Sequence, residues 1–198
     1  MYKPACLIDI VKETCEKFPY KIALVQEDNG KSIDYKSLLS LVGDLTAPLQ
    51  NIISTLSPSG CRIASETPLI SIMTQRSIGT VIALLSILNA GAAYVPVDPT
   101  FPTDRQVHIF THSKSLLLIV DEKTYEQVKS TFVDVTIPPI LVIDSLSGKI
   151  ISNLTSINIS HTVTPVYFPD PYNLAYILYT SGSTGMSNLA TSFPPIHT

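Results

Sequence analysis

A short segment near the end of the chain combines two glycines with four hydroxyl side chains, directly after an apolar run. The apolar run covers residues 174–179 and leads into Thr180-Ser181-Gly182-Ser183-Thr184-Gly185. Glycines let backbone amides approach an anion without an intervening Cβ, and the hydroxyls add further donors. Such donors bind an ionised phosphate more strongly than a neutral group. The segment could therefore hold a phosphate, although an ordinary Ser/Gly turn has the same composition.

The spacing of these glycines differs from the two most familiar nucleotide-binding patterns. The chain has neither the G-x-x-x-x-G-K-[ST] order nor the G-x-G-x-x-G order. The absence of the second pattern weakens the hypothesis of a nicotinamide-dependent oxidoreductase.

Four other side chains could do chemistry, and we predict structural roles for them. His108 and His112 are four residues apart on a predicted helix, a spacing that can hold zinc. No acidic residue lies between them and no third ligand is evident, so we interpret them as a solvated helix face. Asp98 and Arg105 flank a proline-rich turn, where a turn or ion-pair role is favoured over catalysis.

The elements that must position these residues are short helices and strands in alternation. Asp34 is a candidate N-cap for the second helix, Pro48 should end or bend that helix, and Gly91 suits a left-handed residue after the third. The predicted helices cover residues 7–18, 35 onward, 77–90, 103–111 and 121–131, and the predicted strands cover 21–26, 31–34, 69–74, 92–97, 115–120, 140–144 and 174–179. This alternation predicts an α/β fold with a largely parallel sheet, in which residues 145–170 form a loop-rich connection.

Composition and charge exclude several classes of protein. Of the 198 residues, 45% are hydrophobic and 15% are charged, with a net charge of −3 and no cluster of Lys or Arg. These values give no reason to expect a nucleic-acid or anionic-membrane partner. Residues 77–97 carry no charge, but the Asn89-Ala90-Gly91 stop signal favours a buried helix and strand over a membrane span.

The cysteine content bears on the compartment. Cys6, Cys15 and Cys61 are an odd number without C-x-x-C spacing, which argues against a disulfide framework. They lie on apolar stripes, and we interpret them as core packing residues. A reducing compartment, the cytoplasm, fits this pattern.

Three segments together resemble a known family. The string from Tyr176 to Gly185 resembles the signature phosphate loop of the adenylate-forming (AMP-dependent synthetase/ligase) superfamily, which includes acyl-CoA synthetases, luciferases and the adenylation domains of nonribosomal peptide synthetases. The block from Leu88 to Arg105 resembles the L-K-A-G-x-A-Y-V-P-I-D-P core of the peptide-synthetase branch, and Ile33 to Leu39 resembles its T-Y-x-E-L element. The order and intervals also agree, over roughly residues 5–185.

The resemblance implies the N-terminal part of the large subdomain of an adenylate-forming enzyme, over residues 1–189, followed by a divergent tail over 190–198. It implies a reaction in which a carboxylate, more readily an amino acid than a fatty acid, attacks Mg-ATP to give an acyl-adenylate. The acyl group then passes to a thiol, commonly the phosphopantetheine of a carrier domain. Carried over by position, Thr180, Ser181, Gly182, Ser183, Thr184 and Gly185 would bind the ATP phosphates. The resemblance assigns no catalytic residue and no metal ligand to this chain.

The sequence departs from the family pattern just after this segment. Asn188 stands where the family has the lysine of its Pro-Lys-Gly, so a positive charge near the phosphates is missing. The family's adenine, ribose and catalytic-lysine segments would lie further downstream, and we expect the 198 residues alone not to catalyse adenylation. The alternative hypothesis is a non-catalytic fragment or isoform that acts at most as a nucleotide-binding or interaction module.

Overall fold

A computed structural model describes residues 5–57, 67–133, 135–153, 168–181 and 187–192. The helices are α1 (Leu7–Lys17), α2 (Tyr35–Leu56), α3 (Ile78–Asn89), α4 (Thr103–Ser113) and α5 (Glu122–Thr131). The strands are β1 (Ile22–Gln26), β2 (Lys31–Asp34), β3 (Leu69–Met73), β4 (Ala93–Pro96), β5 (Leu117–Asp121), β6 (Ile140–Ile143), β7 (Ile150–Asn153), β8 (Tyr176–Ser181) and β9 (Ser187–Ser192). No described helix is long and apolar enough to cross a membrane.

The principal sheet has seven strands in the order β7-β6-β5-β3-β4-β8-β9. The five central strands run parallel, and an antiparallel strand closes each edge. A separate antiparallel hairpin joins β1 to β2. The predicted α/β class and largely parallel sheet are therefore confirmed.

Strands β3, β5 and β6 are buried on both faces, and alternate side chains of each strand enter different cores. On β5, Leu117 and Ile119 pack with α2 and α3, whereas Leu118 and Val120 pack with α4 and α5. Strands covered on both faces need apolar residues at every position, which explains the continuous apolar run of this strand.

The connections between strands reverse direction beside β3. The chain passes from β3 through α3 to its neighbour β4, and then through α4 back across β3 to β5. Helices α3 and α4 consequently lie on opposite faces of the sheet. In open α/β sheets, such a reversal leaves a crevice at the carboxyl ends of the strands, where ligands bind.

Several local predictions are confirmed by the geometry. The Asp34 carboxylate accepts a hydrogen bond from the Ser37 amide at 2.7 Å, as expected of an N-cap. Gly91 has φ of +78°, and a Cβ at this position would lie 2.7 Å from the Phe168 nitrogen. Residues 77–97 form a helix and a strand, and Cys15 is buried in the core, whereas Cys61 lies outside the described residues.

Other predicted boundaries differ from the structure. Of the two outcomes predicted at Pro48, an end of the helix is wrong, because α2 continues to Leu56. Leu49, Ile52 and Ile53 are fully buried, and their burial offsets the lost hydrogen bond. Within residues 145–170, predicted to be loop-rich, β7 pairs with β6; residues 154–167 lie outside the described part. We also did not predict β9, the edge strand beside β8.

Candidate functional site

The carboxyl ends of β3, β4, β5 and β8 meet at one edge of the sheet, because these strands run parallel. Strand β8 brings Thr180 and Ser181 to this edge. The described register pairs Tyr94 of β4 with Tyr176 of β8. Since β4 ends at Pro96, the carboxyl-terminal part of β8 runs on past its parallel neighbour.

The structure describes two of the six predicted phosphate-binding residues. Thr180 and Ser181 belong to β8, which thus extends two residues beyond its predicted end. They lie opposite Asn188 and Ser187 of β9, and the Thr180 side chain is exposed. The remaining four residues, Gly182, Ser183, Thr184 and Gly185, lie outside the described residues.

The residue before Thr180 is held firmly from α4. Tyr179 is only 8% exposed, and this burial raises the pKa of its phenol. Its hydroxyl forms a 2.8 Å hydrogen bond with Nδ1 of His112, and its carbonyl accepts a 3.4 Å hydrogen bond from the Arg105 guanidinium. Helix α4 therefore contacts both the side chain and the backbone of the residue that precedes the predicted loop.

Of the two roles predicted for Arg105, its contacts in the described residues fit the turn role. Within the described residues it makes no ion pair. Its guanidinium instead lies over the ring of Phe101, 4.0 Å from the ring centroid, in a cation–π contact. Its Nε is buried without a hydrogen-bond partner among the described atoms. The residue is a link between the turn after β4 and strand β8.

Asp98 has the predicted turn role. Its Oδ1 accepts hydrogen bonds from the Thr100 amide at 2.8 Å and from the Thr100 hydroxyl at 2.6 Å. Because both bonds favour the ionised carboxylate, they lower the pKa of Asp98. The nearby Arg76 acts in the same direction.

The two histidines of α4 lie on a partly solvated face, in agreement with the prediction, because His112 is exposed and His108 is half-buried, but both also make contacts that were not predicted. Their rings stack on each other with centroids 5.5 Å apart. Both rings also meet the edge or face of Tyr179, at centroid distances of 6.3 Å for His108 and 5.7 Å for His112. In the part of the chain that the structure describes, no group of three His, Cys, Asp or Glu residues could hold a metal ion.

Gln106 lies beside the candidate site and was not singled out from the sequence. It is buried, and its amide donates to the carbonyls of Asp98, Pro99 and Phe101 at 3.3, 3.0 and 2.9 Å. It thereby ties the turn after β4 to α4. The available signal was its position on the apolar face of the helix, one turn before Ile109 and Phe110.

A crevice of about 740 Å³ opens where the connections reverse, at the ends of β3, β4 and β5. Its lining is mixed, with Thr74, Gln75, Arg76, Asp98, Lys123 and Thr124 among the polar residues. The buried Asp121 carboxylate closes the floor, because it accepts hydrogen bonds from the amides of Gln75 and Thr124. A crevice of this volume can accommodate a ligand of nucleotide size.

The site therefore consists of the end of β8, held by α4, and a polar crevice along the same sheet edge. The polar side chains of the crevice can hydrogen-bond a polar ligand at this edge of the sheet. The crevice lining carries two basic and three acidic residues, and the hydroxyl of its Ser145 donates a hydrogen bond to the Glu122 carboxylate.

Comparison with known proteins gives a consistent assignment. The family model described as "AMP-binding enzyme" matches residues 11–187. A component of the mycosubtilin synthase of Bacillus subtilis is 33% identical over 178 residues, which are 89% of this chain and 6% of that protein. Nonribosomal peptide synthetase agiA of Aspergillus flavus is 31% identical over 183 residues, which are 92% of this chain and 2% of that protein.

Solved structures show the same fold at lower identity. The N-terminal subdomain of NpsA from Klebsiella oxytoca has a TM-score of 0.64 and 22% identity, over 96% of this chain and 42% of that chain. A luciferase-like enzyme from the mealworm Zophobas morio has a TM-score of 0.66 and 16% identity, over 97% of this chain and 43% of that chain. The chain thus spans less than half of these structures and a small fraction of the synthetases.

Proposed function

Because this chain belongs to the family of AMP-binding enzymes, we propose that it is the N-terminal portion of an ATP-dependent ligase that activates a carboxylate as an acyl-adenylate. In this proposal the family portion covers residues 1–189, and Thr180 to Gly185 bind the terminal phosphates of ATP. The tail over residues 190–198 has no assigned role.

The observation that carries the proposal is the position of β8. The strand ends with Thr180 and Ser181 at the edge of the sheet where the carboxyl ends of the parallel strands meet, and doubly wound sheets commonly bind ligands at that edge. The glycine- and hydroxyl-rich sequence follows directly. Backbone amides beside glycines, together with hydroxyls, are the donors that an ionised phosphate prefers.

The proposed chemistry begins with attack by a substrate carboxylate oxygen on the α-phosphorus of ATP. A new oxygen–phosphorus bond forms, the bond between the α-phosphorus and the β-phosphate bridging oxygen breaks, and pyrophosphate leaves with the electron pair. Donors from Thr180 to Gly185 would stabilise the negative charge that grows on this leaving group. Mg²⁺ enters with ATP as the counter-ion of its phosphates.

We propose an amino acid as the carboxylate substrate. The support is the similarity to peptide synthetases, including tyrocidine synthase 3 of Brevibacillus parabrevis at 31% identity. In the second step, a thiolate would attack the acyl carbon and release AMP. The phosphopantetheine arm of a carrier domain is the proposed thiol, which makes such a domain the proposed protein partner.

A binding experiment tests the phosphate site. Isotope-labelled protein is titrated with Mg-ATP, with inorganic tripolyphosphate and with AMP, and amide chemical shifts are followed. We expect ATP and tripolyphosphate to shift the amides of Thr180 to Gly185 in a saturable manner, and AMP to shift them much less. Gly182→Ala should weaken the response by roughly tenfold, whereas Gly43→Ala, on the exposed face of α2, should not. Equal responses to AMP and tripolyphosphate would contradict the proposal.

A kinetic experiment tests the reaction and its substrate. ATP–pyrophosphate exchange is measured with a panel of amino acids and of fatty acids, using the 198 residues joined to the family's adenine, ribose and catalytic-lysine segments, because the 198 residues alone are expected not to catalyse adenylation. Exchange that depends on an amino acid supports the ligase assignment. Binding of tripolyphosphate without exchange for any acid supports the alternative, a non-catalytic nucleotide-binding module.

A further inference from the structure

We propose that Arg105 and His112 are positioning residues that hold Tyr179 by its carbonyl and its hydroxyl, and thereby fix the end of β8 from which the phosphate-binding segment departs. This inference rests on the proposed function, because that function gives the segment after β8 its ligand. Neither residue is proposed to touch the reacting atoms.

The first step of the argument is that both contacts come from one face of one helix. Arg105 and His112 are seven residues apart on α4, which is close to two helical turns. The two side chains therefore project in the same direction, toward β8. The 3.4 Å contact to the Tyr179 carbonyl and the 2.8 Å contact to its hydroxyl act on opposite ends of the same residue.

The second step is that the end of β8 needs a restraint on the α4 face. Its described pairing with β4 is at Tyr176, and β4 ends before the level of Tyr179. Beyond that level β8 pairs with the edge strand β9. A two-stranded ribbon is marginally stable without packing on one face, and near the end of β8 Tyr179 supplies such packing against α4.

The third step concerns the kind of restraint that Arg105 supplies. The guanidinium is a flat, rigid group, and its plane is fixed against the ring of Phe101. The Phe101 carbonyl is in turn held by the buried amide of Gln106. A lysine has a flexible stem and a single point of charge, so it would not reproduce this orientation. The geometry therefore makes Arg105→Lys an informative substitution.

The test uses hydrogen exchange of the 198-residue chain in four variants. Arg105→Met and Arg105→Lys remove the oriented donor, and His112→Phe and Tyr179→Phe remove the hydrogen bond while keeping an aromatic ring. We expect the β8 amides that follow Tyr179, and the amides of β9 that lie opposite them, to exchange with solvent roughly tenfold faster in each variant. The amides of β3 and β5, which report global unfolding, should exchange at the wild-type rate.

The control is Lys129→Met, which removes an equal charge from another cation–π pair. Lys129 lies 5.3 Å from the centroid of Tyr125 on α5 and makes no described contact with β8. It should leave the exchange of β8 unchanged. Equal acceleration at β3, β5 and β8 in the Arg105 or His112 variants would show a general loss of stability, and it would overturn the positioning role. So would wild-type exchange rates at all positions.

A second readout separates this inference from the proposed function. Where the wild-type chain binds tripolyphosphate, the Arg105 and His112 variants should bind it several-fold more weakly, and Arg105→Lys should not restore the affinity. The combined Tyr179→Phe and His112→Phe variant should resemble either single variant, because both remove the same bond. If the wild type binds no polyphosphate, the proposed function fails, while the exchange data still decide whether α4 restrains β8.

Discussion

At the scale of the residue, the chain uses polar side chains to close the junctions between its elements. The buried Gln106 amide holds three carbonyls of the turn after β4, and the buried Asp121 carboxylate joins the end of β3 to the start of α5. Unpaired polar groups at such depth would cost free energy, so each must find several partners. This accounts for the ordered edge around the candidate crevice.

A glycine shows how tightly one of these junctions is packed. The Gly79 amide donates to the Ser145 carbonyl at 2.8 Å, and a Cβ on Gly79 would lie 2.5 Å from the Asp144 carbonyl oxygen. The carbonyl oxygens of Asp144 and Ser145, which such a Cβ would meet, are backbone atoms and cannot move aside by a side-chain rotation. We expect Gly79→Ala to lower the free energy of unfolding by about 1–3 kcal/mol, as measured by urea denaturation.

Gly43 provides the matched comparison for this substitution. It also lies in a helix, but a Cβ there would meet nothing within 4 Å. Gly43→Ala should raise the free energy of unfolding by roughly 0.5–1 kcal/mol, because alanine favours the helix. If both alanine variants changed stability in the same direction, the close approach at Gly79 would not be the governing contact.

At the scale of the element, local patterns predicted most of the helices and strands but not their partners. The apolar spacing and the left-handed Gly91 located α3 correctly, and Asp34 located the start of α2. The end of α2 could not be predicted, because burial of Leu49 and Ile52 outweighs the penalty at Pro48. Local propensity contains no information on such long-range packing.

The same limit applies to the candidate site. The sequence predicted that a strand precedes the predicted phosphate-binding segment, and β8 confirms that strand. The contact between His112 and Tyr179 joins residues 67 positions apart, which no periodicity reports. The edge strand β7 was missed because it is defined by its pairing with β6, which the local sequence does not reveal.

Acidic side chains cap or close several elements, and this predicts how stability depends on pH. Hydrogen bonds from Ser147 and Leu146 lower the pKa of Asp144, in the turn after β6, below its ordinary value of 3.8. A lowered pKa means that the folded state favours the ionised carboxylate. Its contribution to stability is therefore complete above pH 3.8 and is lost progressively as the pH falls below that value.

Asp144→Asn tests this linkage. Asparagine keeps an acceptor oxygen for the turn but does not titrate, so the variant should lose less stability than the wild type when the pH falls from neutral toward 3. Urea denaturation at a series of pH values measures the difference. Asp104→Asn, which removes the same charge from the first turn of α4, is the control. Identical pH profiles for the wild type and Asp144→Asn would contradict the prediction.

At the scale of the whole molecule, one sheet joins two hydrophobic cores. Strands β3, β4, β5 and β6 contribute to both cores, whereas β8 contributes to one, so neither core can lose its sheet face without affecting the other. The crevice and the end of β8 lie at the edge of this shared sheet. The rigidity of the candidate site should therefore depend on both cores together.

Adjacent residues on β5 test this coupling directly. Leu118 and Ile119 are both fully buried, but they point into different cores. We expect Leu118→Ala and Ile119→Ala each to lower the free energy of unfolding by about 2–5 kcal/mol. Because the sheet is common to both cores, each variant should unfold in one transition. Circular dichroism and tyrosine emission should give the same midpoint. Tyrosine is the fluorescent probe because the chain has no tryptophan. Separate transitions for the two probes would show that the cores unfold independently, and the end of β8 would then depend on only one of them.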